Sequence, residues 1–201
     1  MGLLLEAAIA WNALRNISYI LDITKQGSGT VERIELSFLD EDFPHAAGMQ
    51  YAVDVDFNIR PNKYYGAKLI PALLTGRMID TKIESGRNWD RISGRLSAIT
   101  HLQNTLDGPF SIKSFDRDKV QGYSKIDAKF IIQSMISDEI YFVFLDERSN
   151  KYYCKSAFKK EKIDYMRNQT PVTVLQKTKM VDGVPHILFT KEGYTPIEVA
   201  E

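Results

Sequence analysis

A single cysteine, Cys154, occurs in 201 residues, so no internal disulfide can form and no thiolate cluster exists to hold a structural zinc. Lone strand cysteines are usually small buried hydrophobes, which sets aside a thiol nucleophile at Cys154. No apolar run reaches the 18 or so residues a membrane span needs. The best candidate, residues 1–10, lacks a basic start, carries Glu6 and runs into Trp11, Asn12 and Arg15, which marks it as the start of a helix rather than a signal segment. Net charge is also lacking: 26 Lys and Arg balance 26 Asp and Glu, against a polybasic protein that holds nucleic acid by bulk charge. There are only three histidines, His45, His101 and His186, and none belongs to an HxxxH or HExxH pair. Together these absences give a cytoplasmic chain with no membrane contact, no cofactor motif and no suggested metal.

What is present is ordinary globular material, 44% hydrophobic and 26% charged, in a length that fits one domain over residues 1–201. The chain reads as a helix-rich part, 1–109, a sheet-rich part, 110–190, and a short tail, 191–201. Leu4, Ala8, Trp11, Leu14, Ile17 and Leu21 recur at spacings of three and four, which predicts a helix of about five turns over residues 3–24. Glycines at 27 and 29 break it, and Val31, Ile34, Leu36 and Phe38 predict a strand ending at Asp40-Glu41-Asp42. Phe43-Pro44-His45-Ala46-Ala47-Gly48-Met49 then forms a shaped connection carrying His45. Two or three helices fit residues 63–106. After Gly108-Pro109 come six short β-rich runs, at 110–115, 128–135, 140–145, 151–158, 172–180 and 186–189. Ser137-Asp138, Arg148-Ser149-Asn150 and Val181-Asp182-Gly183 sit where hairpin turns are expected, Asp182-Gly183 being the clearest type I′ candidate. The expectation is an α+β fold, with the helical N-terminal half packed on one face of a C-terminal antiparallel meander.

Charge is unevenly placed. Residues 113–179 hold 14 Lys and Arg against 9 Asp and Glu, leaving the remainder equally acidic, so the sheet half is the basic half. A cationic face on strands suits a polyanion, and equally suits a solvated sheet guarded against edge pairing by lysines.

The segments Ile34-Glu35-Leu36-Ser37-Phe38 and Asp42-Phe43-Pro44-His45-Ala46-Ala47-Gly48-Met49 resemble the F-x(n)-(D/N)-F-x-H-L-x-G-L signature of a phage-associated nuclease family. That family is the fourth phage subfamily of the barnase/EndoU/colicin/RelE (BECR) group. Here Ala46 replaces the usual leucine and Met49 the second one. The patterns at 126–132, 140–144 and 152–158 are similar too, so the likeness spans most of residues 5–180. It implies helices followed by an antiparallel sheet, and metal-independent cleavage of RNA.

Such cleavage uses the substrate's own 2′-hydroxyl as nucleophile. The protein must move protons and steady a phosphorane, tasks for a histidine near neutral pKa and for cations. His45 is the candidate acid or base, although a histidine there can instead cap the turn. Lys129 is a candidate for electrostatic catalysis, and Lys113, Lys155 and Tyr153 for holding substrate. Strand alternation puts Tyr153 and Lys155 on one face and Cys154 and Ser156 on the other, so Lys155 and Ser156 cannot both serve a site without a bulge. The resemblance makes Ser156 a candidate to hold a phosphate oxygen or orient His45; an ordinary strand serine is the plain reading. Tyr64, Tyr65, Tyr123, Tyr152 and Tyr153 can stack unpaired bases or simply be half-buried. His101 and His186 read as structural and exposed, respectively. An RNA- or protein-binding module without turnover, or a structural phage accessory protein, fits the same residues. RNA class, oligomeric state and any neutralising protein partner are left open.

Overall fold

The computed structural model describes residues 1–55, 66–78 and 80–196. Its helices are α1 (Leu3–Asn12), α2 (Phe43–Ala46), α3 (Leu69–Leu74), α4 (Trp89–Thr100) and α5 (Leu102–Asp107). Its strands are β1 (Ile17–Lys25), β2 (Val31–Ser37), β3 (Ser111–Ser114), β4 (Phe130–Ile136), β5 (Glu139–Arg148), β6 (Lys151–Lys159), β7 (Thr170–Val181) and β8 (Val184–Thr190).

The α+β class stands, but the sheet is not an open meander. Strands run in the order β1-β2-β6-β5-β4-β3-β7, and β1 pairs again with β7, closing seven strands into a barrel with β8 appended to β7. The sheet is also not wholly antiparallel, because β2 meets β6 in parallel through Leu36–Tyr152 and Ser37–Tyr153. The long opening helix is corrected for the same reason. α1 stops at Asn12, and the residues expected to continue it form β1, which pairs with β2 on one side and β7 on the other. Leu14, Ile17 and Leu21 fit a helical spacing, whereas the alternating buried residues Tyr19, Leu21 and Ile23 fit the strand. Closure rewards the strand with two ladders instead of none.

The later expectations lie close to the strands observed. The tight turns Ser137-Asp138, Ser149-Asn150 and Asp182-Gly183 each place both central residues at positive φ, the type I′ signature that matches strand twist. β4 and β5 are apolar on both sides because both faces are covered. Phe130, Ile132, Val143 and Leu145 join α1, α3, α4 and α5 in the main core. Ile131, Phe142 and Phe144 pack outward against Phe115, Val120, Met166 and neighbouring side chains in a second cluster.

Candidate active site

Two observations about β6 decide where the site can form. Its pairing with β2 ends at Tyr153, so the stretch from Cys154 to Lys159 has β5 on one side and no β2 partner on the other. α2 and α4 pack against β6, and α4 reaches this half through Arg95 on Ser156. A register shift also lies in the β5–β6 ladder: Phe144 opposes Ser156 and Leu145 opposes Cys154, leaving Lys155 as the extra residue. Cys154 therefore enters the main core, Ser156 takes the face of Phe144, and the Lys155 ammonium reaches Asp146 Oδ2 at 2.6 Å, so the bulge turns Lys155 and Ser156 to one side.

His45 is delivered by packing around it. Phe43, Pro44, Ala46 and Ala47 are buried, Phe43 edge-on to Trp11 at 5.6 Å, so a one-turn helix has only His45 left to face outward. Gly48 ends that turn in the left-handed region, φ +77°, where glycine carries no penalty. It has a second role. A Cβ there would stand 2.6 Å from Arg95 Cδ, so the glycine of the H-x-x-G pattern is the gap through which Arg95 passes.

Arg95 comes from α4, whose Ile92, Leu96 and Ile99 face the core. Its guanidinium lies 5.4 Å from the Tyr51 ring and 5.3 Å from the Phe158 ring; its Nη1 donates to Ser156 Oγ at 2.5 Å, and the guanidinium also bonds the Tyr51 hydroxyl. Among the described residues no carboxylate pairs with it. Loss of water pulls its pKa below the usual guanidinium value, only partly offset by its tyrosine and Cys154 neighbours. The His45 pKa is lowered too, first by loss of water and then by the positive charges of Arg95 and Lys155. His45 is thus neutral near pH 7, beside two cations, at an open rim.

Tyr153 flanks this group, its hydroxyl 3.5 Å from Asp146 and its ring under Arg148 at 4.9 Å; Arg148 itself pairs with Glu41 and Asp42. The other two lysines are placed differently. Lys113 donates to the Met166 carbonyl at 2.9 Å, whereas Lys129 is exposed just before β4, its N–H on the Leu145 carbonyl, which sets it across from Asp146, the partner of Lys155. The cations around His45 therefore come from both halves, Arg95 from the helical part and Lys155 from the sheet.

Of the remaining candidates, Tyr152 is buried with its hydroxyl on Glu32, His101 joins α4 to α5 beside Tyr141, and His186 is exposed on β8. Tyr64 and Tyr65 lie outside the described residues. Cys154 is fully enclosed and burial pushes its thiol up to about 12, which leaves no thiolate for chemistry. Arg95 and Tyr51 were missed by the sequence reading. Neither carried a signal of its own, since Arg95 is one of several charged residues on an amphipathic helix.

A family model for the phage-Barnase-EndoU-ColicinE5/D-RelE like nuclease4, PBECR4, matches residues 3–182. The chain belongs to this PBECR4 nuclease family. No curated protein and no solved structure matches it. Membership makes nucleic acid the substrate class, and the matched span contains every residue of the His45 cluster. Among the described residues no helix is long and apolar enough to cross a membrane, and no three His, Cys, Asp or Glu side chains converge as metal ligands.

Proposed function

We propose that the chain is a metal-independent endoribonuclease of phage or mobile-element origin, cleaving RNA through its 2′-hydroxyl at the His45–Arg95–Lys155 cluster. The observation that carries this is the Arg95 guanidinium, half-buried, fixed by two rings and two hydroxyls, and paired with no carboxylate among the described residues. A cation held this way costs stability unless an anion arrives, and the nuclease family supplies the anion, a phosphodiester. The cations that favour a phosphate also repel a divalent metal, which supports the metal-independent reading.

The chemistry divides among these groups. Neutral His45 accepts the 2′-hydroxyl proton as the oxygen attacks phosphorus. Arg95 and Lys155 neutralise the charge that accumulates on the non-bridging oxygens, in a geometry set before the substrate binds. As the bond to the 5′-oxygen breaks, the Lys155 ammonium, drawn from Asp146 by the phosphate, gives that oxygen a proton. The products are a 2′,3′-cyclic phosphate and a 5′-hydroxyl end, and solvent resets both side chains. Ser156 and Tyr51 act through Arg95, holding its plane.

Incubating the purified protein with RNA in chelator tests this. We expect cyclic-phosphate ends, and His45→Ala to be folded but slower by about 10²–10⁴-fold, the usual share of general acid–base catalysis. Cleavage that His45→Ala leaves intact, or cleavage that chelator abolishes, overturns it.

A further inference from the structure

Beside the cluster, the segment from Val120 to Ile126 alternates between anchored and outward residues. Val120 is buried in the second core, and Ile126 packs against it. Between them, Gly122, at φ +122°, lies beside Ile163, whose Cδ1 a Cβ would meet in ordinary contact at 3.6 Å. The Ser124 hydroxyl accepts the Ile126 N–H at 3.1 Å and bonds the Tyr165 hydroxyl. The odd-numbered residues Gln121, Tyr123 and Lys125 point to solvent. Tyr123 is 79% exposed, an unusual position for a ring on a stretch pinned on both sides, and the Lys125 ammonium stands 5.9 Å from its centroid. Together with Arg117 and its partner Asp118, these two residues line a surface pocket of about 510 Å³.

The pocket is tied to the catalytic cluster. Tyr165, held by Ser124, packs edge-on to Phe158 at 5.4 Å, and Phe158 is one of the two rings enclosing the Arg95 guanidinium. The anchored stretch thus reaches Arg95 through two aromatic rings, Tyr165 and Phe158.

We infer that Tyr123 and Lys125 form a subsite for an unpaired base and its phosphate flanking the scissile bond, so that the substrate is single-stranded RNA. The ring offers a face for stacking, the Lys125 ammonium meets the backbone, and Gln121 has both a donor and an acceptor for a base edge. A base inside a duplex has both its faces covered and cannot take this position. The inference rests on the ribonuclease reading for its scissile bond, but its binding test does not need turnover.

The test uses the full chain and a short single-stranded oligoribonucleotide, fluorescein-labelled and with its 2′-hydroxyls O-methylated at every step so that it cannot be cut. Its binding is followed by fluorescence anisotropy in wild type, Tyr123→Ala and Tyr123→Phe. Stacking predicts that Tyr123→Ala weakens binding by about tenfold or more and that Tyr123→Phe keeps it, with an unlabelled duplex of the same sequence a poor competitor. On the cleavable strand the loss appears in KM and not in kcat. Equal binding by Tyr123→Ala and wild type, equal loss in both variants, or equal competition by the duplex overturns the inference. Tyr123-dependent binding in a protein that cuts no RNA keeps the base site and removes the ribonuclease reading.

Discussion

Two cations in this molecule have been withdrawn from water, and they are satisfied in opposite ways. Lys177 on β7, 5% exposed, sends its ammonium to the carbonyls of Leu106 at 2.8 Å, Asp107 at 3.0 Å and Gly108 at 2.6 Å, and over the Phe110 ring at 4.7 Å. These carbonyls close α5, whose negative dipole end suits a cation. Arg95 has rings and neutral hydroxyls instead. Burial lowers the pKa of both, so the shift alone does not tell them apart. The partners do: Lys177 has all the acceptors an ammonium can use, while Arg95 retains a charge that no group of the described chain neutralises. The first arrangement locks β7 to the helices, and the second is a place for an anion.

The comparison predicts effects of opposite sign. Arg95→Met removes the uncompensated charge and keeps the volume, so the thermal midpoint stays level or rises, while kcat/KM on RNA falls by about 10²–10³-fold, the loss typical of one preorganised transition-state donor. A drop in stability together with near-normal turnover would make Arg95 structural. Gly48→Ala comes next. Its Cβ would meet Arg95 Cδ in a left-handed backbone, which costs roughly 1–2 kcal/mol in conformation alone and displaces Arg95 enough to slow cleavage on the order of 10²-fold. Denaturant unfolding and single-turnover rates measure the two parts separately. Lys177→Met should show the reverse of Arg95→Met, losing about 1–3 kcal/mol in urea unfolding because three carbonyls lose their donor, with the rate per folded molecule unchanged.

The smallest effect is on pH. His45 titrates below its usual 6.5, from loss of water first and then from Arg95 and Lys155, so kcat/KM should fall on the acid side with a midpoint under 6.5 as the base becomes protonated. Lys155→Met removes a positive neighbour, makes the imidazolium easier to form and moves that midpoint upward, in whatever residual activity remains. A downward movement contradicts the proximity of the two groups.

How far the sequence carried depended on whether the deciding contact was local. Hairpins at Ser137-Asp138, Ser149-Asn150 and Asp182-Gly183 were legible because two adjacent residues set the turn. β1 was not, because its residues satisfy both periods and the choice was made by β7, more than a hundred residues away. His45 was legible through the F-x-H-x-x-G pattern, although the reason for its glycine became clear only when Arg95 was seen beside it. Arg95 itself looked like any charged residue on an amphipathic helix. Tyr51, Arg95 and Ser156 come from three distant segments, and nothing in their spacing links them. The bulge at Lys155 was recognised as a condition for Lys155 and Ser156 to act together, but a strand sequence does not say where its ladder slips.

Anion-dependent stability separates an anion site at Arg95 from a purely structural cation. Thermal midpoints of wild type, Arg95→Met and Lys177→Met are measured with increasing concentrations of a nucleoside 3′-monophosphate, since a ligand bound only by the folded state raises the midpoint by mass action. A rise is expected in wild type and an equal rise in Lys177→Met, with none in Arg95→Met. A rise in Arg95→Met as large as in wild type would contradict the anion site.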